Sequence, residues 1–193
     1  MELLSDADYC DREFKNVSFK QGLLSQTEFQ SCSFNRCDLS QSVLTDCRFD
    51  DCTFDLCDLS LIKSKGSYFR NSIFSNCKLV GIDWTESVEP FSVDFNDCIL
   101  NLSSFFGMNL KKRKLINCVV HDVDFTEVNL TDSNCSKTDF LNSIFAKTNL
   151  TRVDFSNAKN YAIDFRNNTL TKAKFSLPEA ICLLDTLNIV LTE

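Results

Sequence analysis

Large apolar residues recur at every fifth position along nearly the whole chain. Phe14, Phe19, Leu24, Phe29, Phe34, Leu39, Leu44, Phe49, Phe54 and Leu59 open the series. Ser64 interrupts it, and Phe69, Phe74, Leu79 and Trp84 continue it. The phase then slips by one residue, resumes at Phe95 and runs to Phe175. Phe or Leu fills 27 of these 32 central positions, and 16 of the 18 Phe lie there, so chance does not explain the period. Two residues before the centre stands a small side chain, as at Cys32, Cys37, Ser42, Cys47, Cys52, Cys57, Ser72, Cys77, Cys98, Cys118, Thr138 and Ser143. Between the small and the large position sits a polar residue, often Asp, as at Asp38, Asp58, Asp124 and Asp154. The two positions after the centre are mostly polar.

A period of five matches neither the 3.6 of an amphipathic helix nor the 2.0 of an alternating strand. A small-x-large-x-x unit describes one side of a coil that turns a corner every five residues. The large residue points to the axis, the small one fills the space beside it, and the others face water. No single turn buries its own core, but stacked turns bury each other's. Burying a Phe or Leu is worth roughly 1.5–3 kcal/mol, so only a cooperative stack outweighs the entropy of ordering the chain.

The stretches Cys37-Asp38-Leu39-Ser40, Cys57-Asp58-Leu59-Ser60, Val123-Asp124-Phe125-Thr126 and Val153-Asp154-Phe155-Ser156 match the motif A(D/N)LXX. In them the chain resembles the pentapeptide repeat family, and the resemblance covers residues 12–177. It implies an all-β fold, a right-handed quadrilateral β-helix with four pentapeptides per coil. Residues 20 apart should then stack. Phe14, Phe34, Phe54 and Phe74 form one expected core ladder, and Phe105, Phe125, Phe145 and Phe165 line up after the slip. Leu39, Leu59 and Leu79 sort together in the same way, as do Leu110, Leu130, Leu150 and Leu170. About eight coils at roughly 4.8 Å per strand spacing make a rod about 40 Å long. The expected division is an N-terminal cap over 1–12, the β-helix over 13–176 and a C-terminal helix and dimerisation tail over 177–193.

Irregularities are where function can sit. The register slips over 85–94, where a one-residue bulge suits Pro90. Trp84, Glu86, Glu89 and Phe91 there are candidates for a protruding partner loop, against a tolerated bulge in which Trp84 fills an enlarged corner. Lys111-Lys112-Arg113-Lys114 is a basic run that puts Arg113 at a nominally inward position, so its side chain must escape. Asn160 replaces a large apolar centre. Asp46, Asp50, Asp51 and Asp55 form a candidate acidic surface on the N-terminal half.

Composition narrows the classes. The chain of 193 residues fits one domain, and 44% hydrophobic residues argue against disorder. Four Gly and two Pro are few for hairpin turns. Lys and Arg total 20 against 27 Asp and Glu, a net −7, which argues against direct nucleic-acid binding through phosphates. Eleven Cys whose closest spacing is C-x4-C, never C-x2-C, with His121 the sole His, fit neither a zinc site nor a disulfide framework. They read as buried thiols acting as small hydrophobes, and no metal or cofactor is expected. With no secretory signal and no membrane-spanning run, a cytoplasmic protein is expected. No Gly-rich phosphate loop or nucleophile elbow suggests an enzyme.

After Phe175 the pattern stops. Ser176 as N-cap with Glu179 three residues on predicts a helix, with Ala180, Ile181, Leu183, Leu184 and Leu187 on its apolar face. Ile189, Val190 and Leu191 follow as a predicted short strand. The tail resembles that of the Qnr-type and microcin-immunity pentapeptide proteins, which implies a homodimer joined end to end through Leu183, Leu184, Leu187, Ile189, Val190 and Leu191. The same resemblance implies an acidic, non-enzymatic DNA mimic. Such a rod would bind a type II topoisomerase, DNA gyrase, and modulate it or protect it from quinolones or peptide toxins. The alternative is a general interaction scaffold for another partner.

Overall fold

The computed structural model describes residues 5–187 and 189–190. The chain winds into a parallel β-solenoid of about eight coils with four walls, the quadrilateral β-helix. Tyr9, Phe14, Phe19 and Leu24 are the wall centres of the first coil, one per wall in that order. The first wall stacks the strands Asp8–Cys10, Glu28–Gln30, Arg48–Asp50 and Tyr68–Arg70. The second stacks Glu13–Lys15, Ser33–Asn35, Thr53–Asp55, Ser72–Ser75, Val93–Asn96 and Leu115–Ile116. Pairing is parallel at 20-residue register: Phe14 faces Phe34, and Phe34 faces Phe54. The solenoid starts at Asp8–Cys10, paired with Glu28–Gln30, so the first coil reaches into the stretch 1–12 assigned to a cap.

Each position of the pentapeptide has its own physical task. Most centres are buried, and Phe rings of one wall stack with centroids 4.8, 4.6 and 4.5 Å apart from Phe14 to Phe74, within the range aromatic pairs favour. The small residue two positions earlier supplies a donor as well as little volume. Cys37, Cys57 and Ser72 donate to the carbonyls of Phe14, Phe34 and Phe49 on the preceding coil, and Ser133 to that of Leu110. This explains Cys, Ser and Thr where Ala would fill the same space. The Asp or Asn before the centre accepts from the backbone two residues on: Asp38 from Ser40, Asp58 from Ser60, Asp124 from Thr126 and Asn134 from Ser136. That bond closes a local turn. The second residue after the centre makes the corner with positive φ. Among the described residues twenty-eight non-glycine residues have positive φ, nearly all at that position, and half of them are Asn or Asp, the residues that tolerate the left-handed region best. The corner therefore needs little glycine.

The slip adds one residue to a coil. Phe74 pairs with Phe95 and Ser72 with Val93, 21 apart instead of 20. The extra residue is absorbed around a short 3-10 turn, Trp84–Glu86. Beyond it the second wall continues from Phe95 to Leu115, while Phe105 and Phe125 stack on the fourth wall above Trp84. Ser64, at a central position of that wall, is buried and bonds to the Ser87 hydroxyl at 2.8 Å.

Two expectations fail near the C-terminal end. Phe165 does not extend the ladder of Phe105, Phe125 and Phe145. It is 41% exposed, and Ile163 pairs with Phe145 in its place. The cause is Asn160, whose amide turns outward to bond Asp139 at 2.7 Å while its own φ is 57°. Tyr161 and Ile163 then enter the core early, each 2% exposed. Phe165 is left outside, and the register recovers where Thr169 pairs with Asn149. The second failure is the capping box. The Ser176 hydroxyl accepts from the Asn157 backbone at 3.1 Å, and the Glu179 carboxylate from that of Asn160 at 3.0 Å. Both predicted caps tie the tail to the last full coil instead. The helix they were to cap is the 3-10 helix Glu179–Leu187. Ile189 and Val190 lie in no strand, and Leu191 lies outside the described residues.

Candidate interaction surface

The acidic candidates occupy outward positions of the third coil, which is centred on Phe49, Phe54, Leu59 and Ser64. Asp46 and Asp51 are exposed at consecutive corners, with φ of 53° each. Asp50 and Asp55 are half-buried on the first and second walls. They are not equally free. Arg70 Nε lies 2.7 Å from Asp50. Asp55 accepts from Asn35 and Asn76, and Asp51 from Asn71, each through a side-chain amide. These bonds join residues one coil apart, so carboxylates that stack vertically are spaced by amides or cations. Glu28 with Arg48, Asp132 with Arg152 and Glu127 with Lys147 repeat the arrangement.

The charge is unevenly divided along the rod. Residues 1–100 hold seventeen Asp and Glu against nine Lys and Arg, a net −8. Residues 101–193 hold ten against eleven, a net +1. The sum is the −7 of the whole chain. The acidic surface is thus a property of the first five coils, with the basic run at 111–114 just beyond them. Arg113 is half-buried, and its Nε donates to the Lys111 carbonyl at 3.3 Å. It lines a cleft of about 200 Å³ with Asn71, Ser72, Ser92 and Asp94. Two irregularities separate in sequence, the slip and the basic run, therefore meet on adjacent coils.

The slip itself offers only part of the predicted partner loop. Trp84 is 0% and Phe91 4% exposed, and their rings meet edge to face at 5.4 Å. Glu86 and Glu89 stay exposed, and Val88 beside them is 44% exposed. The Glu89 carboxylate accepts from the Phe91 backbone at 2.9 Å, which pins the loop back onto the coil. The aromatic side chains are core, and only the acidic rim faces outward.

The tail presents an apolar surface. Cys182 and Leu183 pack partly buried against the core, with Cys182 donating to the Tyr161 carbonyl. Leu177, Ile181, Leu184, Leu187, Ile189 and Val190 are exposed, Val190 to 88%. The covering role and the exposed apolar face thus belong to different residues of one segment.

Further chemistry is sparse. Nine of the eleven thiols are buried, while Cys10 is exposed and Cys182 half-buried. Burial pushes the Cys52 thiol up to about 12 and the Cys135 thiol higher still, so these are protonated and poor nucleophiles. Among the described residues no group of three or more His, Cys, Asp or Glu side chains is placed to hold a metal ion. No helix among them is long and apolar enough to cross a membrane. His121 Nε2 lies 3.3 Å from Asp139, which also meets Lys159 and Asn160. That cluster ties neighbouring coils together on the third wall. The sequence marked Asn160 as a defect and His121 as the sole His, but not that Asp139 brings them together, because Asp139 and Lys159 occupy ordinary polar positions.

A stacked quadrilateral β-helix built on a five-residue period defines a solenoid repeat protein. The chain belongs to the pentapeptide repeat family. The model "Pentapeptide repeat region" matches residues 27–88, and "Pentapeptide repeats (8 copies)" matches residues 124–159. Those matches span 62 and 36 residues, together 98 of 193. Among solved structures, the full-length plasmid-mediated fluoroquinolone resistance protein QnrB1 is similar in fold, with a TM-score of 0.57 and 18% identity. The match covers 94% of this chain and 100% of that one. HetL, a pentapeptide repeat protein involved in heterocyst differentiation regulation in the cyanobacterium Nostoc, matches at a TM-score of 0.29 and 14% identity, over 88% of each chain. Comparison of the sequence with curated proteins gives no match.

Proposed function

We propose that this protein is a non-enzymatic binding protein whose acidic coils occupy the DNA-binding surface of a type II topoisomerase such as DNA gyrase. In that role it would modulate the enzyme or protect it from quinolones or toxins. The observation that carries this reading is the net −8 of residues 1–100, carried on the corners and outward wall positions of the solenoid. A surface of one sign steers toward a basic partner and raises encounter rates. The likeness in fold to a fluoroquinolone resistance protein over its full length supports the choice of partner. The exposed apolar tail supports a homodimer joined end to end, which doubles the rod to about 80 Å at a strand spacing of roughly 4.8 Å. A cytoplasmic location fits such a partner.

The test is a supercoiling assay with purified DNA gyrase, with and without ciprofloxacin. The expected outcome is inhibition of supercoiling or relief of drug-induced cleavage at micromolar protein. Neither effect at that concentration would refute the proposal. The near-neutral C-terminal half favours the alternative, a scaffold for a different partner, and a negative supercoiling assay would leave that reading in place.

A further inference from the structure

The edge between the first and second walls carries opposite charge toward its two ends. In the first coil it holds Asp11 beside Arg12, and in the third, Asp50 and Asp51. In the sixth coil, centred on Leu110 and Leu115, the same edge holds Lys111, Lys112 and Lys114 around Arg113. In the eighth coil it holds Arg152. Asp11, Asp51, Lys111, Lys112 and Lys114 are all exposed. None of the five makes an ion pair within 4.0 Å among the described residues.

We propose that this edge is a self-complementary docking surface on which a second copy of the chain lies side by side and antiparallel. A twofold axis across the edge between the fourth and fifth coils would bring the third coil of one copy level with the sixth of the other. Asp51 of each copy would then meet Lys112 of its partner. The same operation brings the first coil level with the eighth and the fourth level with the fifth, but Arg152 and Arg70 there are already held by Asp132 and Asp50, so the contact rests on the third and sixth coils. A twofold contact of this kind is isologous and closes on itself. The acidic and basic zones lie three coils apart, about 14 Å at a strand spacing of roughly 4.8 Å. The fixed pitch of the coils therefore keeps both zones in register at once. A nucleic acid is the poorer occupant of the basic zone, because the acidic zone on the same edge repels a polyanion. The contact leaves the apolar tail uncovered, so it is separate from end-to-end dimerisation and does not depend on the topoisomerase reading.

Exposed ion pairs are individually weak and are screened by salt, so this association should be weak and abolished by salt. The chain's net −7 makes the opposite expectation for copies without complementary zones, which repel more as salt falls. Sedimentation velocity of the full chain would be compared at about 0.01 M salt, where charges act over roughly 30 Å, and about 1 M, where they act over roughly 3 Å. The expected result is a larger, concentration-dependent species at low salt only. One variant carries Lys111→Glu, Lys112→Glu and Lys114→Glu, and the other carries Asp11→Lys and Asp51→Lys. Each alone should lose the low-salt species. Their equimolar mixture should regain it, with a dissociation constant at least about tenfold tighter than either variant's own. Circular dichroism melts confirm that both variants fold. Wild-type association that does not increase at low salt, or a mixture no tighter than its components, would overturn the proposal.

Discussion

Thr138 shows how much of the solenoid rests on a single hydroxyl. It is 0% exposed, accepts from the Cys118 backbone at 3.2 Å, and donates to the Leu115 carbonyl on the coil before. Thr138→Val keeps the shape and removes both bonds, leaving two buried backbone groups without a partner. Such groups cost roughly 1–3 kcal/mol, so urea denaturation should show a loss of that size, while Thr138→Ser should keep most of the stability. A loss under about 0.5 kcal/mol for the valine variant would mean the hydroxyl serves only to fill space. The turn-closing carboxylates give a pH dependence of the opposite kind to a His switch. Hydrogen bonds from Ser156 hold Asp154 below the usual carboxylate range against its partial burial, with Lys174 adding to the effect. Asp38 and Asp139 are also lowered; partial burial opposes the shift, and hydrogen bonds from Ser40, and from Asn160, His121 and Lys159 respectively, outweigh it. A lowered folded pKa contributes stability that is fully present above the unfolded value of about 3.9 and is lost as pH falls through the folded one. Thermal melts should therefore decline below about pH 4. Asp154→Asn keeps the acceptor for the Ser156 backbone and should make that acid decline shallower.

At the scale of the coil, one side chain per wall sets the register, and the register can be tested where it departs from the 20-residue rule. Ile163, 2% exposed, holds the place above Phe145, and Phe165, 41% exposed, does not. Ile163→Ala should cost roughly 2–5 kcal/mol, as buried Ile-to-Ala changes do, and Phe54→Ala roughly 3–5 kcal/mol. Phe165→Ala should cost under about 1 kcal/mol, as for a surface change. Equal losses at 163 and 165, read by chemical denaturation, would restore the uninterrupted ladder. The comparison also shows what a sequence pattern carries and what it does not. The walls, the stacking of Phe14 on Phe34 and Phe54, and the burial of Cys37 and Cys57 were legible, because each repeats with the coil and is reinforced by its neighbours. Events that happen once were not. Asn160 was visible as a defect, but not the early entry of Tyr161 and Ile163 that repairs it. Ser176 and Glu179 matched a capping box by spacing, yet the nearest unpaired donors were the Asn157 and Asn160 amides of the coil beneath. Trp84 at the break was legible as a ring filling an enlarged corner, one of the two readings open there, and it is buried; that Phe91 joins it inside was not legible.

For the whole molecule the decisive question is what covers the tail. A solenoid ends in an open coil, and its terminal element has to satisfy that coil on one side while meeting water or a partner on the other. Here Cys182 and Leu183 do the first. Leu184 and Leu187, 38% and 44% exposed, do not. Ile181, Ile189 and Val190 are exposed as well, and exposed apolar side chains near one another are what a second copy would cover. Deleting 177–193 would uncover the last coil as well, so aggregation of that truncation would not discriminate. Leu184→Glu with Leu187→Glu is the sharper change, because it places charge on the outward side and leaves Leu183 seated. Light scattering should give twice the 22.0 kDa chain mass for the wild type and 22.0 kDa for the double variant, with unchanged circular dichroism. Apolar burial is not screened by salt as ion pairs are, so the wild-type dimer should persist at about 1 M salt, where any contact held by surface ion pairs is lost. A double variant that stayed dimeric at high salt would place the interface elsewhere, and the end-to-end rod of about 80 Å, two stacks at roughly 4.8 Å per coil, would have to be abandoned with it.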